Sequence, residues 1–329
     1  MEYTTLSTGA QLPLLGLGTW QAKDEAELTN ALEIALKAGY RLIDTAAFYQ
    51  NEHIIGKVLK QKFASGELKR QDIFITTKLP PYAHDPRMTE RFILKQLEAL
   101  QVDYVDLFLI HVPCVVEGDI ETLTPKFHDG KFIISTTPHI DTWRVLEKLC
   151  KEGKLKSLGV SNFSIAQLTD LYEKAEIKPS NHQVECHIYF PQNEMIEFCK
   201  SKGITVTAYG PIGSPGRKQA RADGLWPEGE PLSDPVVLEL AEKYGKTPAQ
   251  ILLRHLTQRQ LSVIPKSTNP ERLIQNFNIF DFKLSPEDVE KLNSVKTRVR
   301  LFIMDFIQGH PFYPYDDVDQ SKFQDYRII

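Results

Sequence analysis

Leu107-Phe108-Leu109-Ile110, preceded by Asp106 and closed by His111, is an unbroken apolar run. A strand with one wet face alternates apolar and polar residues. A strand covered on both faces does not, and that is how strands of a parallel sheet wrapped in helices read. Working outward, comparable short runs recur, among them Leu42-Ile43, Phe74-Ile75, Leu158-Gly159-Val160 and Ile204-Thr205-Val206. They mark eight candidate strands: 16–19, 42–44, 73–77, 106–110, 158–160, 183–185, 204–208 and 262–265. The first is the weakest, since Leu15-Gly16-Leu17-Gly18 also suits a loop.

Helical patterns lie between these runs. Residues 25–38 place Leu28, Ala31, Leu32, Ala35 and Leu36 on one face, and Gly39 can supply a left-handed stop. Helices are also predicted over 88–100, 143–152 and 193–202. Ser164 with Gln167 resembles a capping box before Leu168, Leu171 and Ala175. Asp234-Pro235, Thr247-Pro248, Asn269-Pro270 and Ser285-Pro286 repeat one start signal, a capping side chain before a proline whose missing N–H costs no helical bond. Eight strand–helix units in series predict an α/β fold closed into a (β/α)8 TIM barrel. The rival, an open doubly wound sheet, lacks its fingerprint: Gly16-Leu17-Gly18 runs into Thr19-Trp20 with no third glycine.

Tyr3–Leu6 and Gln11–Leu14 around Gly9-Ala10 read as an N-terminal hairpin. Segments 112–141 and 209–234 read as long loops, which in a compact domain are often functional. Residues 297–329, rich in Phe, Tyr, Asp and Pro, read as an irregular tail packing over a pocket. No linker divides the chain, so 1–329 is expected to form one domain.

The 329 residues carry 39 basic and 43 acidic side chains, a net charge of -4, which supports neither a nucleic-acid nor a membrane-surface role. Cys114, Cys150, Cys186 and Cys199 show no metal or redox spacing. The first residues do not read as a secretory signal, and no run approaches the ~20 apolar residues of a membrane span. A cytoplasmic protein is the expectation.

In a barrel of this kind the C-terminal strand ends converge, and active sites sit there. Asp44, Lys78 and His111 follow the second, third and fourth predicted strands, and Tyr49 lies in the loop after the second. Metal chemistry is a poor rival: the nine histidines form no HxxxH pair, and Cys186 and His187 lack local partners. A serine nucleophile is equally weak, because no GxSxG elbow exists.

Taken in order, several blocks resemble the aldo-keto reductase superfamily, and its aldose/aldehyde reductase branch in particular. They are Leu14–Thr19, Gly39–Ala46 with Tyr49, Ile75–Leu79, Asp106–His111, Gly159–Phe163, Asn181–Glu185, and Ile264–Ser267 with Arg272 and Asn276. The match covers nearly the whole chain. It implies NADPH-dependent reduction of aldehydes or ketones by a monomer. Tyr49 would donate the proton and Lys78 would favour its phenolate. Asp44 would pair with Lys78 and touch the cofactor ribose, and His111 would orient the carbonyl.

The same resemblance assigns the cofactor site. Gly18, Thr19 and Trp20 lie beside it. Ser161, Asn162 and Gln183 would grip the nicotinamide carboxamide, and Tyr209 would stack on the ring. Gly210-Pro211-Ile212-Gly213-Ser214 would cross the pyrophosphate, with glycine at 210 in place of the more usual polar residue. Lys266, Ser267, Thr268, Arg272, Gln275 and Asn276 resemble the clamp for the adenosine 2′-phosphate and adenine, so NADPH is expected over NADH. Substrate contacts fall to Trp20, Phe48, Tyr49, Leu79, His111, Val112, Phe127, Phe302, Ile303 and Phe306. Many relatives carry tryptophan at the positions of Leu79 and Val112, so a roomier pocket, open to larger and even steroid-like ketones, is expected here. A barrel kept for a regulatory or structural role is the further alternative.

Overall fold

A computed structural model of the chain describes residues 1–221, 224–307 and 309–322. Its centre is an all-parallel ring of eight strands: β1 (Leu17–Gly18), β2 (Leu42–Asp44), β3 (Phe74–Leu79), β4 (Leu107–Ile110), β5 (Leu158–Ser161), β6 (Asn181–Glu185), β7 (Thr205–Tyr209) and β8 (Ser262–Val263). Each pairs with its neighbour in chain order. The ring closes where the N–H of Gly16 meets the carbonyl of Val263 at 2.9 Å and that of Gly18 meets Pro265 at 3.1 Å. Gly18 has to be glycine: a Cβ there would lie 2.4 Å from the carbonyl oxygen of Ile264. The first strand is thus the seam of the barrel, held by contacts 247 residues away in sequence rather than by propensity.

The apolar run Leu107–Ile110 is β4, and all four of its side chains are fully buried. Burying one such side chain stabilises by about 1.5–3 kcal/mol, which fixes the strand's place in the ring. β3 runs to Leu79, two residues past the expected end. Lys78 therefore belongs to the strand itself rather than to the loop after it.

Helices surround the ring. α1 (Glu25–Ala38) stops at Gly39, whose φ of 111° is the left-handed conformation expected of it. The Ser164–Gln167 box forms at the start of α5 (Ile165–Lys174), and the four capped prolines each begin a helix, at Pro235, Pro248, Pro270 and Pro286. α2 (Glu52–Ala64) was not anticipated, although Ile54, Ile55, Val58 and Leu59 have helical spacing and all are buried.

The N-terminal hairpin (Tyr3–Thr5 with Gln11–Pro13) puts Leu6 and Leu12 against Leu42, Phe74 and Leu107, and so packs under the N-terminal ends of the strands. The opposite mouth is left to function. Segment 112–141 is not structureless: three two-residue antiparallel ladders organise it, Val115–Val116 with Ile134–Ser135, Gly118–Asp119 with Thr124–Pro125, and Phe127–His128 with Lys131–Phe132. Among the described residues, no helix is long and apolar enough to cross a membrane.

Candidate active site

β2 and β3 are neighbours with Asp44 opposite Thr76, so the carboxylate of Asp44 and the ammonium of Lys78 emerge side by side at the mouth. Lys78 Nζ is 2.6 Å from Asp44 Oδ1 and also donates to the carbonyl of Thr45 at 2.8 Å. Gln183 Nε2 donates to the other carboxylate oxygen at 2.7 Å, and the Thr19 hydroxyl donates to the Asp44 carbonyl at 2.9 Å. Asp44 is 2% exposed and Lys78 is fully buried. Burial pushes the Asp44 carboxyl up and the Lys78 ammonium down, while their contact works against both shifts.

Tyr49 follows a short 3-10 turn (Ala47–Tyr49) after β2. Lys78 Nζ lies 5.1 Å from the centre of its ring. The ring is partly open to the mouth, but the surrounding protein and then the charge of Asp44 hold its hydroxyl well above the ordinary phenol value. Burial and Asp44 outweigh the pull of the Lys78 ammonium toward the phenolate. In this arrangement the hydroxyl stays firmly protonated, which is the state a proton donor needs.

His111 packs edge-on to Tyr49, with ring centres 5.6 Å apart. Burial, then the charge of Lys78, holds its imidazole well below the usual histidine range, so the ring is neutral. A neutral ring can orient a carbonyl without competing as the acid.

Sequence reading passed over two buried residues behind these four. Asn51 donates to the carbonyls of Thr19 and Ala22 and accepts from the Thr45 hydroxyl, tying the loops after β1 and β2 together. Glu52, the first residue of α2, accepts from the Thr77 hydroxyl at 2.5 Å and from Gln96 at 3.0 Å, and Gln96 also donates to the Lys78 carbonyl. A polar residue at the start of an apolar helical pattern was the available signal.

Burial raises Glu52 from 4.5 to about 7, against the pull of Thr77, Gln96 and Lys78. A carboxyl raised by folding favours the fold below its unfolded value, and that advantage is lost as pH rises through the folded one. The wild-type protein is therefore expected to lose about 2.5 kcal/mol relative to Glu52→Gln between about pH 5 and about pH 8. Urea unfolding of both proteins at the two pH values checks this, and a pH-independent gap between them counts against it.

The cofactor assignments gather at the same mouth. Ser161 is buried at the end of β5 and Gln183 in the middle of β6. Asn162, at a φ of 64°, donates to the His111 carbonyl (2.9 Å) and to Ser161 Oγ (3.0 Å). Its Oδ1 accepts the hydroxyls of Tyr209 (2.7 Å) and Tyr315 (3.0 Å). Both amide hydrogens and both oxygen lone pairs are thus used, so an incoming carboxamide must exchange with one of these partners.

Gly210, Gly213 and Ser214 take positive φ values of 59°, 82° and 45°. Gly213 admits no side chain, since a Cβ would meet Pro231 at 2.4 Å. Fully buried Arg217, also missed, gathers this loop by donating to the carbonyls of Gly213, Ser214, Pro227 and Gly229. At α9 (Pro270–Phe277), Lys266 and Arg272 are exposed and enter no ion pair among the described residues. Asn276 is buried, Ser267 and Thr268 lead into the helix, and Gln275 is turned to Glu271 at 3.0 Å. Two unpaired cations beside a helix start fit a phosphate.

The pocket assignments divide. Trp20, Tyr209 and Trp226 all meet Phe302 edge-on, at 5.5, 5.4 and 6.0 Å. Phe48 is 42% exposed and faces His111. Leu79, however, is fully enclosed in the main core and offers no wall to a ligand. The space beside Val112 is filled by Cys114 and Ile307, with Phe306 packed next to them, so the expected extra room is taken up by the tail. Phe306 also lies under Arg221, and Ile303 is buried. Phe127 stacks on Phe132 in its own hairpin and is 45% exposed, so it is not drawn to the aromatic cluster. Residues 323–329 of the expected tail lie outside the described residues.

Residues 14–297 match the model of the aldo/keto reductase family. This chain belongs to the aldo/keto reductase family. It is 42% identical over 327 residues to aldo-keto reductase family 1 member A1 of Bos taurus, spanning 95% of this chain and 97% of that protein. The Homo sapiens protein of the same name is likewise 42% identical, over 326 residues. Among solved structures, the aldose reductase from Schistosoma japonicum superimposes with a TM-score of 0.87 at 39% identity, over 96% of this chain and 99% of that one. The (β/α)8 barrel predicted from the strand pattern is therefore the observed fold, and the chain is an oxidoreductase of carbonyl compounds.

Proposed function

We propose that this aldo/keto reductase uses NADPH to reduce an aldehyde or ketone, with Tyr49 as the proton donor. The observation that carries the reading is the buried Asp44–Lys78 pair beside a protonated Tyr49 hydroxyl and a neutral His111. When bound, NADPH supplies the hydride that adds to the carbonyl carbon. The negative charge then grows on oxygen, and Tyr49 transfers its proton there. The phenolate left behind faces the Lys78 ammonium, which stabilises it, and Asp44 keeps that ammonium in place. The His111 N–H orients the carbonyl and adds a hydrogen bond to the developing charge.

Gln183, Ser161 and Asn162 are the groups suited to a carboxamide, Tyr209 to a flat ring, and Lys266 with Arg272 to the extra phosphate that distinguishes NADPH from NADH. The aromatic faces of Trp20, Phe48 and Phe302 suit an apolar carbonyl. With the room beside Val112 taken, nothing favours a steroid-sized substrate over a smaller one.

Following NADPH oxidation across a panel of aldehydes and ketones tests this reading, and no turnover with any of them would refute it. Arg272→Ala is expected to weaken NADPH roughly tenfold or more, through loss of a charge-assisted phosphate contact, while changing NADH by no more than about twofold. Titration of each cofactor against the variant checks it, and equal losses would move the phosphate elsewhere.

A further inference from the structure

Glu185 closes β6 and has no part in the chemistry just described, yet it is a carboxylate buried to 1% exposure. Such a group is costly unless its oxygens are satisfied. Here the donors come largely from the tail. Oε1 accepts the backbone N–H of Leu301 at 2.6 Å and the ring N–H of His187 at 2.8 Å, and Oε2 accepts the N–H of Phe302 at 3.1 Å. Two consecutive peptide N–H groups, 116 and 117 residues away in sequence, are thus gripped by one carboxylate.

What this grip places is the Phe302 ring. It meets Trp20 from the loop after β1, Tyr209 from the end of β7, and Trp226 from the long loop beyond it. The ring lies close over Gly210, where an added Cβ would come within 3.3 Å of it. Glu185 and Tyr209 are paired across β6 and β7, so the anchor and the ring that Phe302 touches share one rigid piece of sheet. Residues 297–304 lie in neither helix nor strand, and this tether gives them a defined wall position.

We propose that Glu185 is a positioning residue for substrate selection, holding the backbone of Leu301 and Phe302 so that the Phe302 ring forms an aromatic wall beside Trp20 and Tyr209 and favours flat aromatic carbonyls. The inference rests on the reductase reading. In Glu185→Gln one oxygen becomes an NH2 group, which turns its own hydrogens toward a peptide N–H and breaks the paired grip. The ratio of kcat/KM for benzaldehyde to that for propanal is expected to fall roughly tenfold, mainly through KM, with NADPH affinity unchanged. Phe302→Ala should lower the same ratio, and the double variant should fall no further than the lower single one, because both remove one wall.

A merely structural role would lower stability without moving that ratio. An unchanged ratio in Glu185→Gln, or additive losses in the double variant, would overturn the proposal. Glu185→Asp, which keeps the charge but shortens the reach, should show the same fall to a smaller degree if the glutamine variant does not fold. Independently, the Leu301 and Phe302 amides of the wild-type protein should exchange slowly with solvent, and fast exchange there would remove the tether outright. If the wild-type protein reduces neither aldehyde, the reductase reading fails. If it reduces both and the variants keep its preference, only the role of Glu185 fails.

Discussion

Tyr49→Phe is expected to lower carbonyl turnover by roughly 10²–10⁴-fold, the contribution usual for a general acid, while NADPH still binds. The variant removes one oxygen and keeps the ring that packs against His111 and faces Lys78. Cofactor contacts should survive, because the substitution leaves every group assigned to them in place. The hydroxyl is held protonated by burial and by Asp44, so its proton is available across the neutral range. Steady-state turnover and a cofactor titration on the same preparation check this. Unchanged turnover would remove Tyr49 from the mechanism, and lost cofactor binding would recast it as a structural group.

Lys78→Met should act on stability as well as activity. It leaves the Asp44 carboxylate buried with its Gln183 contact but no cation, a situation that costs about 3–5 kcal/mol. Burial already pushes this carboxyl up, and losing the ammonium pushes it further. The variant should therefore lose its stability mainly as pH rises through the raised value, and recover relative to wild type in acid, where Asp44 is neutral. Adding Asp44→Asn should restore much of the loss, since a neutral amide needs no counter-charge. Urea unfolding of both variants checks the pair. A loss under about 1 kcal/mol, or a double variant worse than Lys78→Met, would mean the two groups are not coupled as the 2.6 Å contact implies.

The same site shows how far the primary structure could be read. Asp44 and His111 were legible because each closes a buried apolar run, a pattern that local hydrophobicity records, and Lys78 because it follows the run Phe74-Ile75 closely. Arg217, Asn51 and Glu52 were not legible. Their importance lies in carbonyls and hydroxyls brought to them by other segments, and a polar residue heading a helical pattern, as Glu52 does, does not name those partners. Leu79 and Phe127 were misplaced for the opposite reason. One faces a core that only the closed ring creates, and the other is held by a hairpin inside a segment with weak local signals.

By itself the order of residues determined the barrel, the capped helices and the chemical types gathered at its mouth. Those follow from periodicity, capping and side-chain chemistry, which act over a few residues. Only the tertiary structure decided that β1 is the seam, that Tyr49 holds its proton more tightly than a free phenol, that His111 is neutral, and that the tail fills the space beside Val112. Each of these depends on desolvation and contact between segments far apart in the chain, and burial has no value until the ring has closed.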